Sequence, residues 1–353
     1  MKNETCTACG LCVAECPQGA IHIRNKKVTE RVAVIDEMLC NHCGKCEKIC
    51  PQNNHLSRLR TPKKCYAAWS KNRVIRCERS SAGAVSEICK NFAGEIIALS
   101  FNQNGRLIFR SFQSPYELTD MASSVYAFAE MDKTLYLHIK RELEHHPVLV
   151  VGLPCQIDGI RCFTGDHKNL YTINLICAGC PSKTILYNYL SKIGKYDKCC
   201  FRGRNNFRLL LYHGSKLIYQ SSYSEDLYCK MFNQGMGYRE CCYHCQYAQQ
   251  NQIGDLTIGD FWGLGRLAPI PFNRTEGVNV VLVNSKKGER LLRAGKLCLT
   301  ERPLSEAVKG NARLRECAKE PKASRLYKAI VPFLGVNASF KIAVSYNERR
   351  NAQ

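Results

Sequence analysis

Apolar and polar residues follow two periods along this chain, and the places where one gives way to the other mark its elements. PVLVVG (147–152) is an unbroken apolar run, the pattern of a strand buried on both faces of a parallel sheet. YTINLIC (171–177) reads as a second strand and Asp255–Ile258 as a short one, and helical patterns follow the first two. Upstream, CYAAWS reads as a strand, and SSAGAVSEICKNFAG as a turn opening a helix with Val85, Ile88, Cys89 and Phe92 on its apolar face. EIIALSFNQNGRLIFRSF is a hairpin turning at Asn104-Gly105. Helical patterns are expected over about 116–131 and 133–145, and GVNVVLVNSKKGERLLRAG gives a final strand and helix. RLYKAIVPFLG and the basic tail either dock on a partner or pack on the domain. The class these patterns give is mixed α/β (α+β).

Residues 1–51 lack this rhythm and carry an internal repeat instead. Cys6, Cys9, Cys12 and Cys16 precede Pro17, and Cys40, Cys43, Cys46 and Cys50 precede Pro51. In this double C-x2-C-x2-C-x3-C-P arrangement the fourth cysteine of each run crosses to the other cluster. Cys6, Cys9, Cys12 and Cys50 should therefore hold one 4Fe-4S cluster, and Cys40, Cys43, Cys46 and Cys16 the second. Gly10 and Gly44 relieve crowding where the loops wrap, and AIHI with VAVI forms a small hairpin. A zinc module is the plainer alternative, but zinc sites rarely use two identical four-cysteine runs. The expected division is 1–58, a ferredoxin-type unit; 64–146 and 147–310, two parts of one α/β region; and 311–353, a helical basic tail. Asn53–Lys64 reads as a polar linker, flexible between them.

A third metal site is expected in the second unit. RECCYHCQYA holds the pair Cys242 and Cys245, whose spacing lets two thiolates reach one metal. Cys155 and Cys177 each end a predicted parallel strand, where doubly wound folds place their ligand crevices. A lone cysteine in such a turn is more often a buried core thiol. Two at equivalent turns, with the pair downstream, favour four ligands of one cluster. Cys65, Cys77 and Cys89 have no partners at ligand spacing and read as small buried hydrophobes.

Composition narrows the functional classes. Twenty-three cysteines at metal spacings fit a reducing compartment, and Met1–Cys6 has no signal-peptide order, so the expected location is cytoplasmic. No apolar run approaches the ~18 residues of a membrane span. The formal charge of +21 favours an acidic protein or an anionic small molecule as partner. Nucleic acid is unlikely, because no recognition motif accompanies the charge. The loop CCFRGRNNFR offers Arg202, Arg204 and Arg208 to a phosphate or carboxylate, a solvated charged loop being an equal reading. No P-loop or G-x-G-x-x-G is present, and no catalytic His or carboxylate constellation stands out.

With CYAAW, VGLPCQIDGI, NLICAGCPS, FRGR, SEDLYCKMF, YRECCYHCQYA and DLTIGDFWG in view, the chain resembles the beta-subunit family of coenzyme F-420 hydrogenase and dehydrogenase. It is most similar to bacterial members that have an N-terminal ferredoxin domain and are often encoded near polysaccharide-biosynthesis genes. The resemblance implies an iron–sulfur flavoprotein oxidoreductase. Electrons would pass from a ferredoxin-like donor through 4Fe-4S clusters to FAD, and on to an organic substrate or deazaflavin-type coenzyme. The alternative is a non-catalytic electron-transfer subunit of a larger redox complex. The cluster ligands carry over onto Cys155, Cys177, Cys242 and Cys245, with Cys180 and Cys241 as additional thiols. The cofactor residues implied are Ser80, Ser81 and Gly83 in a turn beside the flavin, Arg202 and Arg204, and Asp260 of GDFWG. Relatives have a Gly-Gly turn where this chain has Ala82-Gly83-Ala84, and the extra methyl groups are expected to narrow the approach of backbone amides.

Overall fold

The computed structural model describes residues 5–54, 58–113, 117–203 and 206–351. The N-terminal unit has a short helix Leu11–Glu15 and a hairpin of β1 (Ile21–Asn25) and β2 (Arg31–Ile35), with Ile21 opposite Ile35. Gly10 and Gly44, both left-handed, start the helices Leu11–Glu15 and Lys45–Lys48 after equivalent cysteines. Only Gly10 also meets a steric limit: a Cβ there would lie 2.1 Å from the Met131 carbonyl oxygen, whereas none would be met within 4 Å at Gly44. One loop is pressed against the rest of the molecule and the other faces outward.

The large sheet begins with β3 (Lys64–Ser70), then β4 (Glu95–Phe101), β5 (Leu107–Phe112), β6 (Val148–Gly152) and β7 (Leu170–Leu175). A meander of β8 (Lys198–Gly203), β9 (Asn206–His213) and β10 (Lys216–Ser222) leaves it, and β11 (Leu256–Asp260), β12 (Asn279–Val283) and β13 (Leu297–Glu301) return to it. The sheet order is β13-β3-β12-β11-β7-β6-β4-β5. Its centre, β11-β7-β6-β4, is parallel, and the outer pairings are antiparallel. All five residues of β6 are buried, which is why that stretch reads as uniformly apolar.

Four expectations change. Residues 121–129 are not helical: their backbone groups are engaged by neighbours, Ala122 N by Leu99 O, Ser124 O by Phe201 N, and Phe128 N by Pro181 O. Only a turn over Glu117–Asp120 and the helix Lys133–Glu142 remain of those patterns. The basic loop at 199–208 is the β8–β9 hairpin, and β13 adds an edge strand beyond the expected last one. Third, a helix over Lys322–Arg350 meets the length and composition of a membrane span, with mean hydropathy 1.3 over 18 residues. It contains Pro332, breaks at Gly335 (φ 71°), and buries Tyr327, Val331, Phe340 and Val344 in the core beside the meander. Phe333 beside the break is 85% exposed.

The linker is the fourth correction. Arg58 pairs with the fully buried Asp158 (2.6 Å), which also accepts from the Tyr247 hydroxyl at 2.8 Å. Arg60 pairs with buried Asp255 (2.6 Å) and with Asp166, and its backbone bridges to Gln252. The segment is thus fastened to the α/β body, and these cations are neutralised inside the molecule. Asp158→Ala would leave Arg58 and Tyr247 without their shared acceptor. Because Arg58 is a quarter exposed, the expected loss is about 3 kcal/mol, the low end for breaking a buried pair, read as a lowered Tm of the cluster-loaded protein.

Candidate functional site

The two cysteine loops of the N-terminal unit repeat each other in detail. Ala8 and His42 both take positive φ (51° and 56°), and each donates its amide to a sulfur two residues back, Cys6 or Cys40, at 3.4 Å. Non-glycine residues rarely adopt this conformation, so its repetition reflects a common demand: a loop wrapped around sulfur. Cys12 lies within electrostatic reach of Cys9, Cys6 and Cys50, expected for the first cluster, and of Cys46, expected for the second. Cys9 is buried, and burial pushes its thiol up to about 12. Cys43, in the other loop, is exposed. The inner loop docks closely: Tyr136 donates its hydroxyl to the Cys9 carbonyl at 3.0 Å, and Leu11 joins Tyr136, Ile157 and Ile160 in one core.

Cys155 lies in the first turn of the helix Pro154–Thr164 after β6, and Cys177 directly follows β7. Cys242 sits in the one-turn helix Glu240–Tyr243, with Cys245 just after it. These four predicted residues line one small cavity of about 40 Å³, together with Thr7 from the N-terminal unit, Arg239 and Cys317. Burial raises the thiols of Cys155 and Cys245, the latter to about 12. Cys177 and Cys242 are lowered instead, first because each accepts a hydrogen bond from a neighbouring thiol, Cys180 or Cys241. The Cys177 and Cys180 sulfurs are 3.9 Å apart. Cys241 also lines the cavity, and each extra cysteine lies beside a sulfur of the predicted set, where either thiol of the pair can donate to the other.

The sequence does not single out Arg239. It is buried, donates to the Thr7 carbonyl at 2.7 Å, and lies 3.5 Å from the Phe128 ring centroid. Burial works against its charge, but the thiols of Cys241, Cys242, Cys155 and Cys180 hold it protonated. Nothing in its local sequence distinguishes it from a surface arginine. A buried guanidinium at the cavity lined by Cys155, Cys177, Cys242 and Cys245 matches an anionic, sulfur-ligated occupant, and this donor set fits an iron–sulfur cluster.

Beyond Cys177–Gly179 opens a cleft of about 1180 Å³ at the carboxyl ends of the parallel strands. Cys177, Ala178, Gly179, Ile176, Leu153 and Arg313 line both spaces. Ser81, Gly83, Arg202 and Asp260 all reach this cleft. The side chain of Ser80, and Arg204 altogether, lie outside the described residues. Arg202 grips Asp260 with both terminal nitrogens and donates to Ser81 Oγ at 2.6 Å, while Ser81 also bonds Asp260. The arginine thus braces the wall internally. Its guanidinium stacks 4.0 Å from the Phe207 ring centroid, and Phe207 stacks on half-exposed Trp262 at the rim. Ala82 and Ala84 are fully buried and absent from the lining, so their methyl groups do not narrow the cleft. The helix they precede, Ala84–Lys90, spends its first amide on Asn279 Oδ1 at 3.1 Å and does not present it to the cleft.

Both units of the chain have relatives among known proteins. Residues 145–306 match a family model described as the C terminus of the coenzyme F420 hydrogenase/dehydrogenase beta subunit, and residues 5–54 match a 4Fe-4S dicluster domain. Over 323 residues the chain is 24% identical to the coenzyme F420-dependent sulfite reductase of Methanocaldococcus jannaschii, covering 84% of this chain and 47% of that protein. The chain spans about half the length of that relative. Its N-terminal unit is 42% identical over 55 residues to a ferredoxin-like protein in the nif region of Rhizobium leguminosarum bv. trifolii (14% of this chain, 78% of that one). A chain of the F420-reducing NiFe hydrogenase complex from Methanosarcina barkeri aligns with a TM-score of 0.48 at 14% identity, over 72% of this chain and 91% of that one. Residues 5–54 thus carry a 4Fe-4S dicluster domain, and residues 145–306 carry the region described as the C terminus of the coenzyme F420 hydrogenase/dehydrogenase beta subunit.

Proposed function

We propose that the chain relays electrons from a ferredoxin-like donor, through three 4Fe-4S clusters, to FAD in the cleft and on to an organic substrate or deazaflavin-type coenzyme. The observation that carries this reading is the shared wall at Cys177–Gly179: the third cysteine site and the cleft lie on opposite sides of one stretch of backbone. Cys6, Cys9, Cys12 and Cys50 would hold the inner cluster of the N-terminal unit, and Cys16, Cys40, Cys43 and Cys46 the outer one. Cys155, Cys177, Cys242 and Cys245 would hold the third, with Arg239 offsetting its charge. When bound, the clusters carry single electrons and the flavin couples them to two-electron chemistry.

The cleft has the room and the mixed lining for a dinucleotide, being larger than the ~300–1,000 Å³ of ordinary ligand pockets. Val85, Leu99, Val151 and Ile258 supply apolar wall, while Ser81, Asn279 and Arg313 supply polar contacts. At the outer loop, exposed Met38 (93%) and Leu39 (51%) lie next to Cys40, with exposed Lys45 and Lys48 flanking Cys46. The exposed apolar spot beside a cluster cysteine suits docking of a small ferredoxin; the charges around it are mixed, with exposed Glu37 and Glu47 beside the lysines, and the formal charge of +21 on the whole chain favours an acidic one. Flavin reduction by reduced ferredoxin should therefore slow steeply as salt rises, since the attraction is screened over roughly 8 Å at physiological ionic strength. Reduction by a small neutral reductant should stay nearly constant.

Anaerobic purification followed by iron, sulfide and flavin counts tests the assignment. The expected content is about twelve irons, twelve sulfides and one FAD per chain. Retained iron with no flavin after incubation with excess FAD would remove FAD from the scheme. A second reading is an electron-transfer subunit whose chemistry lies on a partner. Bound flavin without turnover by the isolated chain would select it.

A further inference from the structure

At the opposite edge of the sheet from the cysteines, where β4 and β6 begin, three ligand-type side chains converge: Glu95, Glu142 and His146. We propose that they form a binding site for a first-row divalent cation, separate from the iron–sulfur centres.

The hydrogen bonds around the three residues leave one atom of each directed at a common point. His146 Nδ1 lies 3.2 Å from the Pro147 carbonyl oxygen and donates to it in the tautomer that leaves Nε2 a lone pair, whereas in the imidazolium Nε2 donates to Glu142 as well. That Nε2 lies 3.1 Å from Glu142 Oε2 and 4.0 Å from Glu95 Oε2. The outer oxygens are already held. His138 Nε2 sits 2.6 Å from Glu95 Oε1, while Arg141 donates to His138 Nδ1 (3.1 Å), fixing the tautomer that donates to the carboxylate. Arg141 Nε donates to Glu142 Oε1 at 2.8 Å. Three acceptors facing one another repel unless a cation lies between them. Ligand separations of 3.1 and 4.0 Å suit bonds of about 2.0–2.2 Å to one ion. The anchored outer atoms are the arrangement that orients ligands around bound metals. Glu95 is 3% exposed, so its carboxylate has little water to replace a cation.

A proton on His146 Nε2 is the competing occupant, and the two are separable. The probe is Mn²⁺, whose preference for oxygen and imidazole over thiolate keeps it from the cysteines. The cluster-loaded protein is titrated at neutral pH and free Mn²⁺ is followed by electron paramagnetic resonance. The wild type should bind one more Mn²⁺ than Glu142→Gln or His146→Ala, with unchanged cluster absorbance in all three. His138→Ala should keep the stoichiometry but bind about 10–100-fold more weakly. Mn²⁺ should raise the Tm of the wild type and leave that of Glu142→Gln unmoved. Equal Mn²⁺ binding by wild type and Glu142→Gln would overturn the proposal. So would an absence of saturable binding together with a His146 ring that remains doubly protonated at neutral pH.

Discussion

Cys242→Ser is expected to lower the iron and sulfide content by about four each, leaving the dicluster signal in place. The reason is the placement of Cys242 in the floor of the small cavity, with its sulfur lowered by the neighbouring Cys241 thiol. A serine oxygen there is a poor ligand for iron, and the buried Arg239 would lose the anion it faces. Cys180→Ser and Cys241→Ser should retain the full count, because the expected ligands are their neighbours Cys177 and Cys242, and loss of iron in either variant would move the ligand to the extra cysteine. Metal analysis with low-temperature electron paramagnetic resonance of the reduced protein reads both outcomes. Equal iron in Cys242→Ser and the wild type would disprove the third centre.

The second large effect should follow from Gly159→Val. Gly159 lies one helical turn after Cys155, and a Cβ there would meet the Cys9 Cβ at 3.3 Å, its sulfur at 3.4 Å and the Tyr136 hydroxyl at 2.5 Å. The branched side chain has to push the inner loop off the α/β body. Electron passage to the cleft from a ferredoxin donor should slow by more than about tenfold, because transfer depends on close, fixed placement. Reduction of the cleft flavin by a small neutral reductant should barely change. Stopped-flow absorbance separates the two rates, and an unaltered ferredoxin-driven rate would mean that electrons bypass the inner loop.

What can be read from the chain alone follows a physical division. Cys6 through Cys50 are legible because a ligand spacing is local and needs no tertiary knowledge. β6 is legible because burial on both faces leaves an unbroken apolar run, and β7 because apolar residues dominate it although buried Thr172 and Asn174 interrupt the run, so the cysteines after them can be grouped with Cys242 and Cys245 from the sequence. The segment 121–129 reads wrongly as helix because its backbone partners, Leu99, Pro181 and Phe201, are far away in sequence. Arg202 stands out in the sequence, but its grip on Asp260 depends on a hairpin that the basic composition conceals. Arg58 and Arg60 look like surface charge for the same reason, since the carboxylates that draw them inward lie 100 or more residues away; Arg239 has Cys241 and Cys242 close by in sequence, but its burial against Thr7 and Phe128 is tertiary.

The fastening of residues 58–60 bears on how such a protein can be rebuilt. A ferredoxin on a loose tether is a cartridge, exchangeable for any other of similar potential. Here the N-terminal unit supplies Leu11 to a common core, Thr7 to the third cysteine cavity, and, through Arg58 and Arg60, the counter-charges of two buried aspartates. A chimera that imports a foreign ferredoxin must therefore import those two arginines and a glycine equivalent to Gly10, or redesign Asp158, Asp255 and Met131 to match. Lineages that exchanged this unit wholesale would have had to exchange its seat as well.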